Sequence, residues 1–232
     1  MSKIETPNPL GEGLFRFLEE LKENNDRTWF QANKHRYEED LKDPALEFIS
    51  RFGPLLREIS PHFLAIPRAQ KGSLFRIYRD VRFSKDKRPY KTHAGIHFRH
   101  KRAKDAYAPG FYLHLDPAAS FVGAGIWHPD SKALAKIRQV IAEDSAAWKR
   151  ARDHRAFKAR FELAGESLKR PPRGFDADHA FIEDLKRKDF IGTTELSRRQ
   201  VLAPDFVDRF AETCRDAVPL VRFLCKALEV PF

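Results

Sequence analysis

The chain has 232 residues, of which 42% are hydrophobic and 33% charged, and its formal net charge at pH 7 is +10. That size fits one large domain, and twenty phenylalanines supply material for its core. The sequence contains no run of 18 or more apolar residues, the length that a membrane-spanning helix needs. The first residues lack the basic-then-apolar pattern of a signal peptide. We therefore expect a cytoplasmic protein with no membrane partner. Cys214 and Cys225 suit reduced core thiols better than a disulfide framework or a zinc site.

The first part of the chain has helical periodicity. Apolar side chains recur three and four residues apart from Leu10 to Glu23, and Asp26 can cap a second helix over residues 27–41. A third helix is predicted from Asp43 onward, with Pro54 as the position where it kinks or splits.

The periodicity becomes two residues after Pro67. An extended chain places Phe75, Ile77, Val81 and Phe83 on one side, which is predicted to face the core. It places Arg76, Tyr78, Asp80 and Arg82 on the other side, which would share one sheet surface with His93, His97 and His114 if the strands pair. The same alternation recurs over residues 91–99, 110–116 and 120–127, and short turns separate these stretches. About four consecutive antiparallel strands are therefore predicted.

The remainder of the chain is mainly helical in pattern. Helices are predicted over residues 129–141, 145–168 and 178–185, and residues 188–195 are predicted to be extended or looping. Residues 204–228 are predicted to form one or two helices interrupted at Pro219. Helices, then antiparallel strands, then helices indicate an α+β fold. We predict one domain over residues 1–232, helical over 10–60, strand-rich over 72–127 and helical over 129–232, with a central, mainly antiparallel sheet of four or more strands.

The positive charge is concentrated in one stretch. Residues 73–92, SLFRIYRDVRFSKDKRPYKT, hold seven Lys or Arg, two Asp and four aromatic side chains; we call them the basic segment. From Lys71 to Lys104 the chain carries twelve basic and two acidic residues, so this stretch accounts for the whole net charge. A local field of this kind favours an anionic partner.

Several motifs resemble those of a known family. They are NNDRTWFQANKHRY at residues 24–37, GSLFRIYRDVRFSKDKRPYKTHAG at 72–95, and PGFYLHLDP and GAGIWHPD further on. The chain resembles the uncharacterised family called domain of unknown function 2461, from Leu14 to the last helices. The resemblance implies a single-domain protein and implies no activity.

Basic and aromatic side chains make up the candidate binding surface. Guanidinium and ammonium groups suit phosphate or carboxylate. The candidate ligand-binding residues are Arg76, Tyr78, Arg79, Arg82, Lys85, Lys87, Lys91, Tyr112 and His114. One alternative is an ordinary wet sheet face with cross-strand ion pairs, such as Asp80 with Arg76 or Arg82. For Arg79 and Arg82 the alternative is internal pairing with Asp80 or Asp86, which would hold the turn.

Histidines are the candidate catalysts, because their pKa lies near neutrality. We select His93, His97 and Asp80 for proton transfer. Three histidines, His93, His97 and His114, with a carboxylate could hold zinc or iron, but no HExxH spacing is present and the surrounding positive charge opposes a cation. We therefore predict no metal, and no cofactor, because no phosphate-loop or dinucleotide fingerprint occurs.

These observations lead to one main functional hypothesis and two alternatives. The main hypothesis is binding of a phosphate ester or another small anion on a basic sheet face, with catalysis as an extension of it. The alternatives are a nucleic-acid-binding module without chemistry, and a structural or protein-interaction domain.

Residues 123–127 add a weaker signal. The glycines let a ligand approach closely and Trp127 could stack on it, although a bulge and a core tryptophan explain these residues too.

Overall fold

The computed structural model describes residues 8–102 and 108–232. Lys104, the last residue of the basic stretch, lies outside these ranges. The chain opens with four helices and one π-helical turn: α1 (Glu12–Glu23), α2 (Arg27–Ala32), α3 (Lys34–Arg36), the π-helix (Tyr37–Lys42) and α4 (Asp43–Ile59).

The N-terminal helices follow the predicted signals with two differences. The Asp26 carboxylate accepts a hydrogen bond from the Trp29 N–H and caps α2, as predicted. The predicted helix over 27–41 is interrupted at Asn33, which ends α2 and precedes α3. Pro54 lies inside α4 without splitting it.

The sheet has five strands and is antiparallel throughout. They are β1 (Ala94–Arg99), β2 (Gly110–Leu115), β3 (Ser120–Ile126), β4 (Glu162–Ala164) and β5 (Phe190–Leu196), in the order β1-β2-β3-β5-β4. The α+β fold with a central antiparallel sheet is confirmed. β4 lies where a helix was predicted, and β5 lies in the stretch predicted to be extended or looping.

The C-terminal helices complete the core on one face of the sheet. They are α5 (Ser131–Glu143), α6 (Ser145–Arg152), α7 (Arg155–Arg160), α8 (Ile182–Leu185), α9 (Arg198–Val201), α10 (Phe206–Asp216) and α11 (Val218–Ala227). The Phe52 ring of α4 lies 4.6 Å from that of Phe98 on β1 and 4.7 Å from that of Phe210 on α10. Within the described ranges, none of the helices combines the length and the apolar character needed to cross a membrane.

The other face of the sheet has a different composition. Because side chains alternate along a strand, the register brings Gly95, His97, Gly110, Tyr112, His114, Gly123 and Gly125 to this side. We call it the cavity face.

The predicted strand over residues 75–83 is wrong. Leu74 and Ile77 are buried, but Phe75 is 44% and Phe83 95% exposed, so buried positions lie three residues apart and do not alternate. The segment contacts β1 through one isolated bridge, Leu74 to Ile96, and folds back on itself through another, Tyr78 to Tyr90. The predicted sharing of one sheet surface by Arg76, Tyr78, Asp80 and Arg82 with the histidines is wrong for the same reason.

Candidate functional site

A cavity of about 360 Å³ opens on the cavity face. Three glycines contribute to its lining: Gly110 on β2, and Gly123 and Gly125 on β3. Gly110 and Gly125 are directly opposite each other in the β2–β3 register. With no side chains at these positions, the bare backbone forms a floor that a ligand can approach closely.

Steric constraints explain two of these glycines. Gly125 has φ of +127°, and a Cβ there would lie 2.1 Å from the Phe190 carbonyl oxygen. A Cβ at Gly110 would lie 2.5 Å from Nε2 of His97. At Gly123, by contrast, the atom nearest to a Cβ would be the end of the flexible Ile191 side chain, at 3.2 Å, and the Tyr112 Cβ would lie at an ordinary contact distance of 3.7 Å. Gly123 is therefore the floor position at which a larger residue would fill the cavity most easily.

Apolar and aromatic side chains form the walls. Phe75 comes from the basic segment and Trp127 from the end of β3, and they are 44% and 57% exposed. The Phe75 ring centroid lies 6.0 Å from those of both His97 and Tyr112. Lys91 places its ammonium group 5.4 Å from the Phe75 ring centroid. Two large exposed aromatic residues beside a bare floor are typical of a ligand site.

The polar groups of the cavity are neutral at pH 7. Burial, reinforced by the charge of Arg99, lowers the pKa of His97 to about 4. Burial raises the pKa of Tyr112 to about 12. The Tyr112 hydroxyl lies 2.9 Å from Nδ1 of His114, within hydrogen-bonding distance. The lining formed by the described residues thus offers hydrogen bonds without a charged group.

A compact polar cluster adjoins the cavity. His93, His114 and Asp116 place one ligand atom each within 4.8 Å of one another, and the two imidazole centroids are 4.4 Å apart. Burial, followed by the charge of Lys91, lowers the pKa of His93. Burial and then the neighbouring His93 lower the pKa of His114 to about 4. Both shifts favour the neutral form, in which each imidazole has one unprotonated nitrogen.

The basic segment uses much of its charge internally. Arg82 pairs with Asp80 at 2.7 Å, and Asp86 accepts hydrogen bonds from Arg79 at 2.7 Å and Arg88 at 2.8 Å. The bonds from Arg88 and then Arg79 hold the pKa of Asp86 well below its usual range. The ammonium groups of two lysines donate to backbone carbonyls, Lys87 to Val81 at 3.0 Å and Lys91 to Arg76 at 2.9 Å. The internal pairing weighed as the alternative for Arg79 and Arg82 is confirmed.

The structure divides the predicted site residues into three groups. His97 and Tyr112 line the cavity, and Lys91 contacts its wall. His93 and His114 lie in the adjoining cluster. The remaining residues lie on the basic segment outside the cavity lining: Arg76, Tyr78, Arg79, Asp80, Arg82, Lys85 and Lys87.

Phe75 and Asp116 belong to these sites although the sequence pattern predicted no site role for them. Phe75 was predicted to face the core, and its exposure depends on the irregular path of the basic segment. Asp116 was given no role in a site, although the predicted alternation over residues 110–116 places it two residues after His114 and therefore on the same side of the extended chain. That spacing is the signal from which it could have been found.

The model of one family, conserved hypothetical protein (DUF2461), matches residues 13–223. The chain belongs to this family. The match confirms the resemblance that the motifs indicated, and the DUF2461 region includes the basic segment, the cavity and the histidine–aspartate cluster. No curated protein and no solved structure shows significant similarity to the chain.

Proposed function

We propose that the protein binds a small anionic ligand, of the phosphate-ester class, that carries a flat ring. The ring enters the cavity and lies over the glycine floor. The observation that carries this proposal is the combination of that bare floor with two exposed aromatic walls, Phe75 and Trp127. Aromatic side chains bind flat rings by offset or edge-to-face contact, and burying the ring removes apolar surface from water.

Positive groups at the edge of the cavity support an anionic ligand. Lys91 lies over the outer wall residue Phe75, and Arg99 lies two residues after His97, opposite Gly110 in the sheet register. Both side chains are partly buried, so an anion beside them is screened less by water than on an open surface. Arg76, which forms no ion pair within the described residues, adds charge near Lys91.

His97 has a hydrogen-bonding role in this proposal. With a pKa of about 4, its neutral ring is a weak base at pH 7, whereas a general base works best with a pKa near the working pH. The proposal therefore concerns binding and assigns no reaction.

We also propose that the protein is cytoplasmic. The buried thiols of Cys214 and Cys225 stay reduced in that compartment.

A thermal-shift experiment tests the cavity. The probes are adenosine monophosphate, phenyl phosphate and inorganic phosphate, because a ligand that binds the native state raises Tm by mass action. We expect the two ring-bearing probes to raise Tm and inorganic phosphate to have little effect. Gly123→Val fills the floor and should abolish the shifts, whereas Thr193→Val, at the paired position of β5, should keep them. Equal shifts in Gly123→Val and wild type would contradict the proposal.

A second candidate function is binding of single-stranded nucleic acid at the basic segment. Phe83 is 95% exposed, with the Arg82 guanidinium 5.8 Å from its ring centroid, and Tyr78 is 49% exposed. Exposed aromatic rings among basic groups stack on bases. A fluorescent oligothymidine should then bind with an affinity that falls steeply with salt and drops in Phe83→Ala. Binding that is insensitive to both changes would exclude this role for the segment.

A further inference from the structure

We propose that His93, His114 and Asp116 bind one divalent transition-metal ion, of the class that includes Zn²⁺, Co²⁺ and Fe²⁺. This inference does not depend on the proposed ligand of the cavity. It rests on the way in which the sheet brings the three side chains together.

The strand register creates the cluster. His114 and Asp116 are two residues apart at the end of β2, so they lie on the same side of the chain. Ala94 pairs with Leu115, and continuing that antiparallel register by one residue places His93 opposite Asp116. The three ligand atoms consequently lie within 4.8 Å of one another. Metal bonds of about 2.1 Å require ligand atoms about 3–3.5 Å apart, so side-chain shifts of about 1 Å complete the site.

Neighbouring groups already orient the ligands. Oδ1 of Asp116 accepts the Ala118 N–H at 2.8 Å, which fixes the carboxylate and leaves Oδ2 for an ion. The His114 ring stacks on Phe121, with centroids 4.7 Å apart and planes at 18°. Nδ1 of His114 faces the Tyr112 hydroxyl at 2.9 Å, so Nε2 is the nitrogen left to bind a metal. Metal-binding histidines commonly fix their ring orientation and tautomer by such a hydrogen bond from the other nitrogen.

The ligand set selects the kind of ion. Two imidazoles and one carboxylate suit first-row transition metals, whereas Mg²⁺ and Ca²⁺ prefer oxygen ligands. Three protein ligands leave at least one coordination position for water or another small molecule. The positive charge of Lys91 opposes the ion, but its ammonium group is directed to the Arg76 carbonyl and the Phe75 ring.

Equilibrium dialysis with Co²⁺ and with Zn²⁺ tests the site in the full-length, tag-free protein after treatment with a chelator. We expect one ion per wild-type chain, with visible absorption from bound Co²⁺. Asp116→Asn keeps an acceptor for Ala118 but removes the charge, and His93→Gln removes a nitrogen ligand; each should weaken binding at least tenfold. Tyr112→Phe should weaken it by about tenfold.

His35→Ala is the matched control, because His35 is an exposed histidine on α3 outside the cluster. It should bind Co²⁺ as wild type does. Failure of the wild-type chain to bind one ion would overturn the proposal. Undiminished binding in Asp116→Asn and His93→Gln, or an equal loss in His35→Ala, would overturn it too, since the ion would then be held elsewhere.

Discussion

The basic segment and the cavity face differ in how their functional groups are used. The basic segment holds seven Lys or Arg among its twenty residues, but Arg79, Arg82 and Arg88 are paired with its own two aspartates. The cavity face has fewer charges, yet the exposed side chains of Trp127 and of Phe75, which the basic segment contributes, lie beside its bare backbone. A segment with many charges can therefore use them to stabilise its own conformation. The side chains that are free to bind a ligand lie around the cavity, where there are fewer charges.

The largest expected effect concerns the floor of the cavity. Gly125→Ala combines a strained φ of +127° with a clash against the Phe190 carbonyl, so we expect a loss of more than about 3 kcal/mol in the free energy of unfolding. Urea denaturation measures it. Gly174→Ala is the control. Gly174 has φ of +85°, and no atom of the described residues lies within 4 Å of a Cβ there, so only backbone strain of about 1 kcal/mol applies. Similar losses in both variants would mean that the tight approach of β5 to β3 does not constrain the floor.

The next effect is the pH dependence caused by His97. The pKa of His97 is depressed to about 4 in the folded state. The contribution of its neutral ring to the free energy of unfolding is therefore fully present above the unfolded pKa of about 6.5 and is lost as pH falls toward 4. Between pH 7 and pH 4.5 the loss should be about 2.5 kcal/mol. His97→Gln should remove that part of the pH dependence in denaturation curves. An NMR titration that places the His97 pKa near 6.5 would contradict the burial on which this prediction depends.

A smaller effect is expected from two matched tyrosines. Tyr112→Phe removes the hydroxyl that faces His114, and we expect a loss of about 1 kcal/mol in the free energy of unfolding. Tyr78→Phe removes an exposed hydroxyl of the basic segment that has no hydrogen-bond partner among the described residues, so its stability should be close to wild type. Thermal denaturation of the pair, without metal, distinguishes the two regions. A larger loss in Tyr78→Phe would reverse the comparison.

The smallest effect is local to the basic segment. Asp86→Asn weakens the pairing of Arg79 and Arg88, so the segment should open more often while the global Tm stays unchanged. Limited trypsin digestion should then cut faster after Lys85 and Lys87. Asp178→Asn, an exposed aspartate without an ion pair in the described residues, should digest as wild type does. Unchanged cleavage in Asp86→Asn would show that these ion pairs do not hold the segment.

The sequence predicted several regular elements, but neither β4, which lies where a helix was predicted, nor the irregular path of the basic segment. Alternation over residues 110–116 and 120–127 predicted β2 and β3, because antiparallel strands with one buried face impose a period of two. The same rule failed for residues 75–83. Isolated bridges take the place of continuous strand pairing there, and tertiary contacts decide which side chains are buried.

The candidate site was predictable only in part. His97, Tyr112 and His114 share one face because of strand periodicity, and that was visible in the sequence. The exposure of Phe75 and the proximity of Asp116 to His93 depend on how the chain pairs after a turn, and no local pattern specifies such pairing.

The most direct test of the central claim, that ligands bind in the cavity and not on residues 76–90 of the basic segment, is methyl NMR. Ile191 lines the cavity and Val81 lies in the basic segment. Titration with adenosine monophosphate and with phenyl phosphate should shift the Ile191 methyl resonances and leave those of Val81 unchanged. Shifts at Val81 with none at Ile191 would contradict the claim and assign binding to the basic segment.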